Sequence, residues 1–203
     1  MRRVVLATGN RGKIREFRVL TGDLPIELVT AKEIGFSAEI EENGHSFAEN
    51  AIIKAAAIAD FSAAWTIADD SGIVIPYLDG EPGIYSARYA GEQATDAENN
   101  QKLLTKMQFA EEEKREAFFV AEIALIRPGF PAETFHGETK GVLLRSPQGS
   151  NGFGYDPLFF VPQYQLTFAQ LPMSVKNEIS HRGRAMALLR QRLLQLFNAN
   201  VMN

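Results

Sequence analysis

Residues 65–75, Trp-Thr-Ile-Ala-Asp-Asp-Ser-Gly-Ile-Val-Ile, constrain the fold of this chain more than any other stretch. A short apolar run, Trp65 to Ala68, stops on two adjacent carboxylates, then Ser71 and Gly72, and a second apolar run begins at Ile73. Placing two anions at the mouth of a buried strand is unfavourable unless a cation or a proton-transfer role compensates. In open α/β sheets, ligands bind beyond the carboxyl ends of strands. The plainer alternative is a polar turn between two strands, since Asp, Ser and Gly are ordinary turn residues. Neighbouring side chains on a strand point to opposite faces, so Asp69 and Asp70 need not act alike. One can face a ligand while the other braces the turn.

The flanking sequence supplies the rest of an α/β pattern. Val4 to Ala7 is a continuous apolar run and predicts a strand buried on both faces. Thr8-Gly9-Asn10-Arg11-Gly12-Lys13 follows, and Ile14 to Leu20 reads as a helix with Ile14 and Phe17 inward and Asn10 as its N-cap. Ile26 to Val29 predicts a second strand, followed by an acidic loop from Glu39 to Gly44. Ser46-Phe47-Ala48-Glu49 is a capping box that opens a helix to about Phe61. Phe47, Ala51, Ala55 and Ile58 form one stripe of that helix, and Asn50 and Lys54 stack on another face.

Beyond Ile75 comes a loop rich in Gly, Pro and Tyr, then a helix starting at Thr95 and Asp96. Phe118 to Ile126 and Glu133 to Arg145 read as a long hairpin, with Pro76 ending the strand before them. Gln148 to Tyr155 is a glycine-rich loop, Leu158 to Val161 a short strand, and His181 to Phe197 a final helix with Ala185, Leu189, Leu193 and Leu196 inward. With no repeat, linker or low-complexity tract, residues 1–203 read as one α/β domain with a long central mixed sheet flanked by helices. Two lobes with an active-site cleft between them are expected.

Composition narrows the function. A net charge of -4 argues against a general nucleic-acid binder, but not against a small phosphorylated ligand held by a few lysines. The absence of cysteine excludes disulfides, thiolate metal sites and cysteine nucleophiles. The apolar run after the N-terminal arginines is too short for a signal peptide, and Lys54 and Asp60 interrupt the most apolar helix, so a cytoplasmic protein without a membrane span is expected.

Four constellations can carry chemistry. Thr8 to Lys13 joins a strand to a helix N-terminus, where backbone N–H groups favour an anion. Lys13 opposes the helix dipole there, and a bound phosphate would give it a reason; an ordinary turn with a surface lysine is the alternative. Glu39, Glu41, Glu42, Asp69 and Asp70 could hold a hard cation such as magnesium, or the loop glutamates could simply be solvated. Gly152-Phe153-Gly154-Tyr155-Asp156 could admit a flat ligand against Phe153, or tuck its aromatics into the core. Lys176 to Arg182 offers donors beside a helix start, with the planar fork of Arg182 suited to a ligand edge. His45 and His136 have no evident partner and read as structural.

The order of these motifs resembles one family. Thr8-Gly9-Asn10-x-Gly12-Lys13, Glu41-Glu42-x-Gly44, Phe47-x-Glu49-Asn50-Ala51-x-x-Lys54-Ala55, Ala68-Asp69-Asp70-Ser71-Gly72, Pro82-Gly83-Ile84-Tyr85-Ser86-Ala87-Arg88-Tyr89, Phe153-Gly154-Tyr155-Asp156-Pro157 and Ser180-His181-Arg182 occur in sequence. Together they are similar to the bacterial inosine/xanthosine triphosphate pyrophosphatases. The resemblance implies a homodimeric α/β hydrolase that uses Mg2+ to cleave ITP, dITP and XTP to the nucleoside monophosphate and pyrophosphate, cleansing the nucleotide pool. Carried over motif by motif, Thr8 to Lys13 and Lys54 would hold the substrate, chiefly its phosphates, and Ser71 would touch the nucleotide. Glu41 and Asp70 would serve the metal, and Asp70 would also accept the proton of the attacking water. Phe153, Gly154, Tyr155, Asp156, Lys176, His181 and Arg182 would form the base pocket. Readings in competition are a pyrophosphatase of other base specificity, a phosphatase of smaller substrates, and a nucleotide binder without turnover.

Overall fold

Val4 and Leu6 pack to one side of the first strand and Val5 and the following Ala7 to the other, and this alternation organises the half of the chain that holds the two aspartates. The computed structural model describes residues 1–199. Its elements begin with β1 (Arg2–Leu6), α1 (Arg11–Thr21), β2 (Ile26–Thr30), α2 (Phe47–Ser62) and β3 (Trp65–Val74). After two 3-10 turns come α3 (Asp96–Lys106), β4 (Glu116–Ile126), β5 (Glu133–Leu143), β6 (Phe159–Val161), β7 (Leu166–Thr167), α4 (Met173–Ile179) and α5 (His181–Ala199). The strands form one sheet of order β2-β1-β3-β4-β5-β6-β7. β1 pairs in parallel with β2 and β3, and β6 pairs antiparallel with β5 and β7, so the sheet is mixed as expected.

The chain forms two compact units, with boundaries inside β3, β4 and β5 and at the start of α5. The first comprises Met1–Asp70, Ala121–Gly137 and residues 182–199. It has a core on each face of its strands. One core joins Val4, Leu6 and Ile67 to Phe17 of α1 and to Ala185, Leu189 and Leu193 of α5. The other joins Val5, Ala7 and Ala68 to Ala51, Ala55 and Ile58 of α2. Ile14 and Phe17 of α1, Ala51, Ala55 and Ile58 of α2, and Ala185, Leu189, Leu193 and Leu196 of α5 therefore pack as predicted; Asn10 and Ser46 cap their helices as predicted, and Thr95 caps the helix expected to start there. The second unit comprises Ser71–Val120 and Glu138–His181, around a core that includes Ile73, Leu103, Phe119, Phe159 and Phe168.

Several details differ from the sequence reading. β3 runs unbroken through Asp-Asp-Ser-Gly, so these residues are neither a turn nor the end of a strand. An apolar-to-polar switch signals a boundary only when the neighbouring elements bring no charges of their own, and here they do. The α2 capping box is shifted: the Ser46 hydroxyl accepts from Glu49 N–H, but the Glu49 carboxylate accepts from His45 N–H, one residue before the N-cap. α4 and β7 are additional; α4 starts behind Pro172 with no side-chain cap and is too short to show a period. His136 does have a partner, Glu122, at 2.7 Å. Among the described residues, no helix is long and apolar enough to cross a membrane.

Candidate active site

The period of two along β3 sends Asp69 and Asp70 into different surroundings. Asp69 lies on the face of Ile67, towards α1 and α5; Asp70 lies on the face of Ala68, towards α2.

Asp69 is completely enclosed. Lys13 of α1 places Nζ 2.5 Å from its Oδ2, and Arg182 of α5 donates from Nε to Oδ1 at 3.1 Å and from Nη2 to Oδ2 at 3.3 Å. Nη1 of the same guanidinium donates to Glu16 Oε2 at 2.5 Å. Two cations and two anions thus alternate in a buried set. Burial alone would push the Asp69 carboxyl up, but Arg182 and then Lys13 hold it far below the usual carboxylate range. Lys13 moves the other way: burial lowers its ammonium against the pull of Asp69. Asp69 also explains why a lysine sits in the first turn of α1 against the dipole. The N–H groups of Gly12 and Lys13, expected to face an anion, donate to Asn10 Oδ1 at 2.8 and 3.1 Å. The cap already supplies the oxygen that a phosphate would have offered those two donors.

Asp70 is held more lightly. Lys54 Nζ donates to its Oδ1 at 2.8 Å and to Glu42 Oε2 at 2.7 Å, so one ammonium serves two carboxylates. Asn50, one turn earlier on α2, donates from Nδ2 to Asp70 Oδ2 at 3.3 Å. Burial raises the Asp70 carboxyl despite Lys54 and Lys13, and Glu42 adds to the rise. Lys54, although burial opposes it, is held more firmly protonated by Asp70 and Glu42. Asp70 is therefore the more basic of the two neighbours.

Of the acidic loop, the structure brings Glu42 to this ammonium, while Glu41 is exposed. Asp70 and the loop glutamates are hard oxygen donors, the right chemistry for magnesium. Among the described residues no three His, Cys, Asp or Glu side chains form a ready cage.

The residues expected at the base lie in the second unit, except Arg182. Asp156 is buried; its Oδ2 accepts from Phe153 N–H at 3.0 Å and from Lys176 Nζ at 2.6 Å. Gly152 must lack a side chain, because a Cβ would fall 2.0 Å from that Asp156 oxygen. The Lys176 ammonium lies 5.0 Å from the centroid of the half-buried Phe153 ring. Tyr155 points into the core and donates to the Ser86 carbonyl at 2.9 Å, so its ring is a core residue and not a ligand face. The His181 ring stacks on Phe119 at 4.6 Å and is buried rather than an exposed cap. Arg182 departs from the expectation: its fork, assigned from sequence to a base edge, is bound to Asp69 and Glu16. A buried carboxylate is the stronger partner for a guanidinium.

Sequence reasoning missed two residues here. Asp96 Oδ2 accepts from Gly154 N–H at 2.7 Å, and Asn100 Nδ2 donates to the Gly154 carbonyl at 3.0 Å. Both sit on α3, four residues apart, and grip both ends of one loop residue. Their i, i+4 spacing was the available signal.

A mixed α/β sheet with two partly buried lysines, each paired to one of two adjacent aspartates on one strand, defines a class of proteins suited to phosphate chemistry. The chain belongs to the Ham1 family, whose profile matches residues 4–192. It is 49% identical over 193 residues to the dITP/XTP pyrophosphatase of Geobacter sulfurreducens, covering 95% of this chain and 97% of that one. Its structure is similar to that of a HAM1 protein from Coxiella burnetii, with a TM-score of 0.88 and 43% identity over 96% of this chain and all of the other. The Staphylococcus aureus Ham1 protein is also similar, with a TM-score of 0.86 and 41% identity over 95% of this chain and 98% of that one.

Proposed function

We propose that this chain is a nucleoside triphosphate pyrophosphatase that hydrolyses dITP, ITP and XTP to the monophosphate and pyrophosphate. The observation that carries the reading is Asp70: a buried carboxylate, raised in basicity, whose hydrogen-bonded ammonium, Lys54, is shared with Glu42. Family membership and the dITP/XTP pyrophosphatase relative support it.

In this reading Lys13 and Lys54, with the Thr8–Gly12 turn, hold the triphosphate, and Ser71 touches the nucleotide. Asp70 orients water and takes its proton at Oδ2, the oxygen whose present partner is a neutral carboxamide at 3.3 Å. Mg2+ would be held by Asp70 with a carboxylate of the acidic loop, Glu41 by motif or Glu42 by its place beside Lys54, and when bound would neutralise phosphate oxygens. Phe153 offers a face to the purine, and Gly154, Asp156, Lys176 and His181 line its edge. Hypoxanthine and xanthine present a C6 carbonyl that accepts from Lys176 or His181. Adenine presents an amino group there and leaves such donors unpaired, at about 1–3 kcal/mol per buried group. We further infer a cytoplasmic homodimer, which sedimentation would test.

The decisive assay is pyrophosphate release from dITP, ITP, XTP, GTP and ATP, with Mg2+ and with chelator. Fast, Mg2+-dependent release from the first three alone is the expected result. Orthophosphate release, or equal turnover of all five, would overturn the assignment.

A further inference from the structure

Asn50 and Lys54, one turn apart on α2, make the same pair of connections. Each binds the acidic loop with one contact and one oxygen of Asp70 with another. Lys54 joins Glu42 to Asp70 Oδ1, and Asn50 joins the Gly44 N–H, at 2.9 Å from its Oδ1, to Asp70 Oδ2. Asn50 is fully buried. Its amide orientation follows from its partners, because a backbone N–H can only donate and must face the carboxamide oxygen. The loop is fitted to this contact: a Cβ on Gly44 would lie 2.7 Å from Asn50 Oδ1 and 2.7 Å from Glu49 Cβ.

The two ties differ in what a substrate does to them. A triphosphate competes for the Lys54 ammonium, but has no comparable attraction for a neutral carboxamide. Asn50 is then the connection between loop and strand that persists while phosphate is bound. A carboxamide is also the side chain of this size that accepts from a backbone N–H and donates to a carboxylate at once.

We propose that Asn50 is a positioning residue that holds the acidic loop in register with Asp70, so that loop carboxylate and Asp70 meet one cation together. The inference rests on the assignment of Asp70 as proton acceptor and metal ligand. Asn50 makes no claim on the substrate itself.

The test compares the wild type with Asn50→Ala and Asn50→Asp. Hydrogen exchange of the Gly44 amide and calorimetric Mg2+ binding are measured on nucleotide-free protein, and kcat and KM on the triphosphate that the wild type turns over best. Asn50→Ala should remove protection of the Gly44 amide and weaken Mg2+ about 10–100-fold. Asn50→Asp keeps the acceptor for Gly44 and loses the donor to Asp70, so protection should persist. In both variants kcat should fall about 10–100-fold with KM within about threefold, because the triphosphate contacts remain. Unchanged Gly44 exchange in Asn50→Ala, or unchanged kcat in Asn50→Asp, would overturn the proposal. Should Asn50→Ala not fold, the isosteric Asn50→Asp decides by its kcat. A wild type that turns over no triphosphate would sink the proposed reaction instead, and exchange and Mg2+ binding would then decide the role of Asn50 alone.

Discussion

Asp69 and Asp70 are neighbours in sequence, on one strand, both buried, yet their surroundings are opposite. Asp69 has two cations of its own, Lys13 and Arg182, and Glu16 binds the far side of the guanidinium. Asp70 has part of one ammonium and a neutral amide. The first is locked as an anion; the second is left basic, with oxygen lone pairs to spend on water or metal. An excess of cations makes a carboxylate structural, and a deficit keeps it reactive. Asp69 consequently positions Lys13 and Arg182, while Asp70 is the group to which the proposed reaction assigns the proton.

The sharpest way to break this contrast is to neutralise each carboxylate in turn. Asp70→Asn should lower kcat by about 10²–10⁴-fold while nucleotide binding persists, since shape is kept and the base is lost. Pyrophosphate release and equilibrium nucleotide binding check it, and near-normal turnover would refute the role. Asp69→Asn should act on stability, by about 3–5 kcal/mol in urea unfolding, because it leaves buried cations uncompensated. Its pH dependence has a defined sign. The folded-state value of Asp69 is depressed, so its contribution is full above the unfolded value of about 3.9 and is lost as pH falls below it. The gap between wild type and Asp69→Asn should therefore be constant near neutrality and shrink below about pH 4.

Arg182→Ala asks which side the guanidinium serves. Because it grips Asp69 and Glu16, its loss should slow dITP, XTP and GTP alike. A selective gain in GTP turnover would return Arg182 to the base pocket. The smallest expected effect sharpens the other half of the comparison. Glu42→Gln should raise the Mg2+ needed for half-maximal rate about tenfold, and exposed Glu41→Gln should raise it less. The reverse order would favour the motif over the geometry.

Much of this was legible in the chain. Period-3.6 stripes on α1, α2 and α5, the Asn10, Ser46 and Thr95 caps and the apolar runs of β1 and β2 are local signals, and local signals survive folding. The stacking of Asn50 on Lys54 was likewise a matter of helix geometry, as was the expectation that Asp69 and Asp70 face opposite ways. The break assigned to Asp-Asp-Ser-Gly failed because hydrophobicity was read without the cations that cross from α1, α2 and α5. The hold of Asp96 and Asn100 on Gly154 joins residues more than 50 positions apart, so the i, i+4 spacing on α3 was the one local sign of it.

The sequence by itself determined most of the elements, their buried faces and the opposite facing of two adjacent carboxylates, because each follows from the spacing of a few neighbouring residues. Only the tertiary structure decided which carboxylate is locked as an anion and which is left the more basic. Charge balance depends on distance through space: Lys13 and Arg182 converge on Asp69, and Glu16 on Arg182, from two helices at opposite ends of the chain.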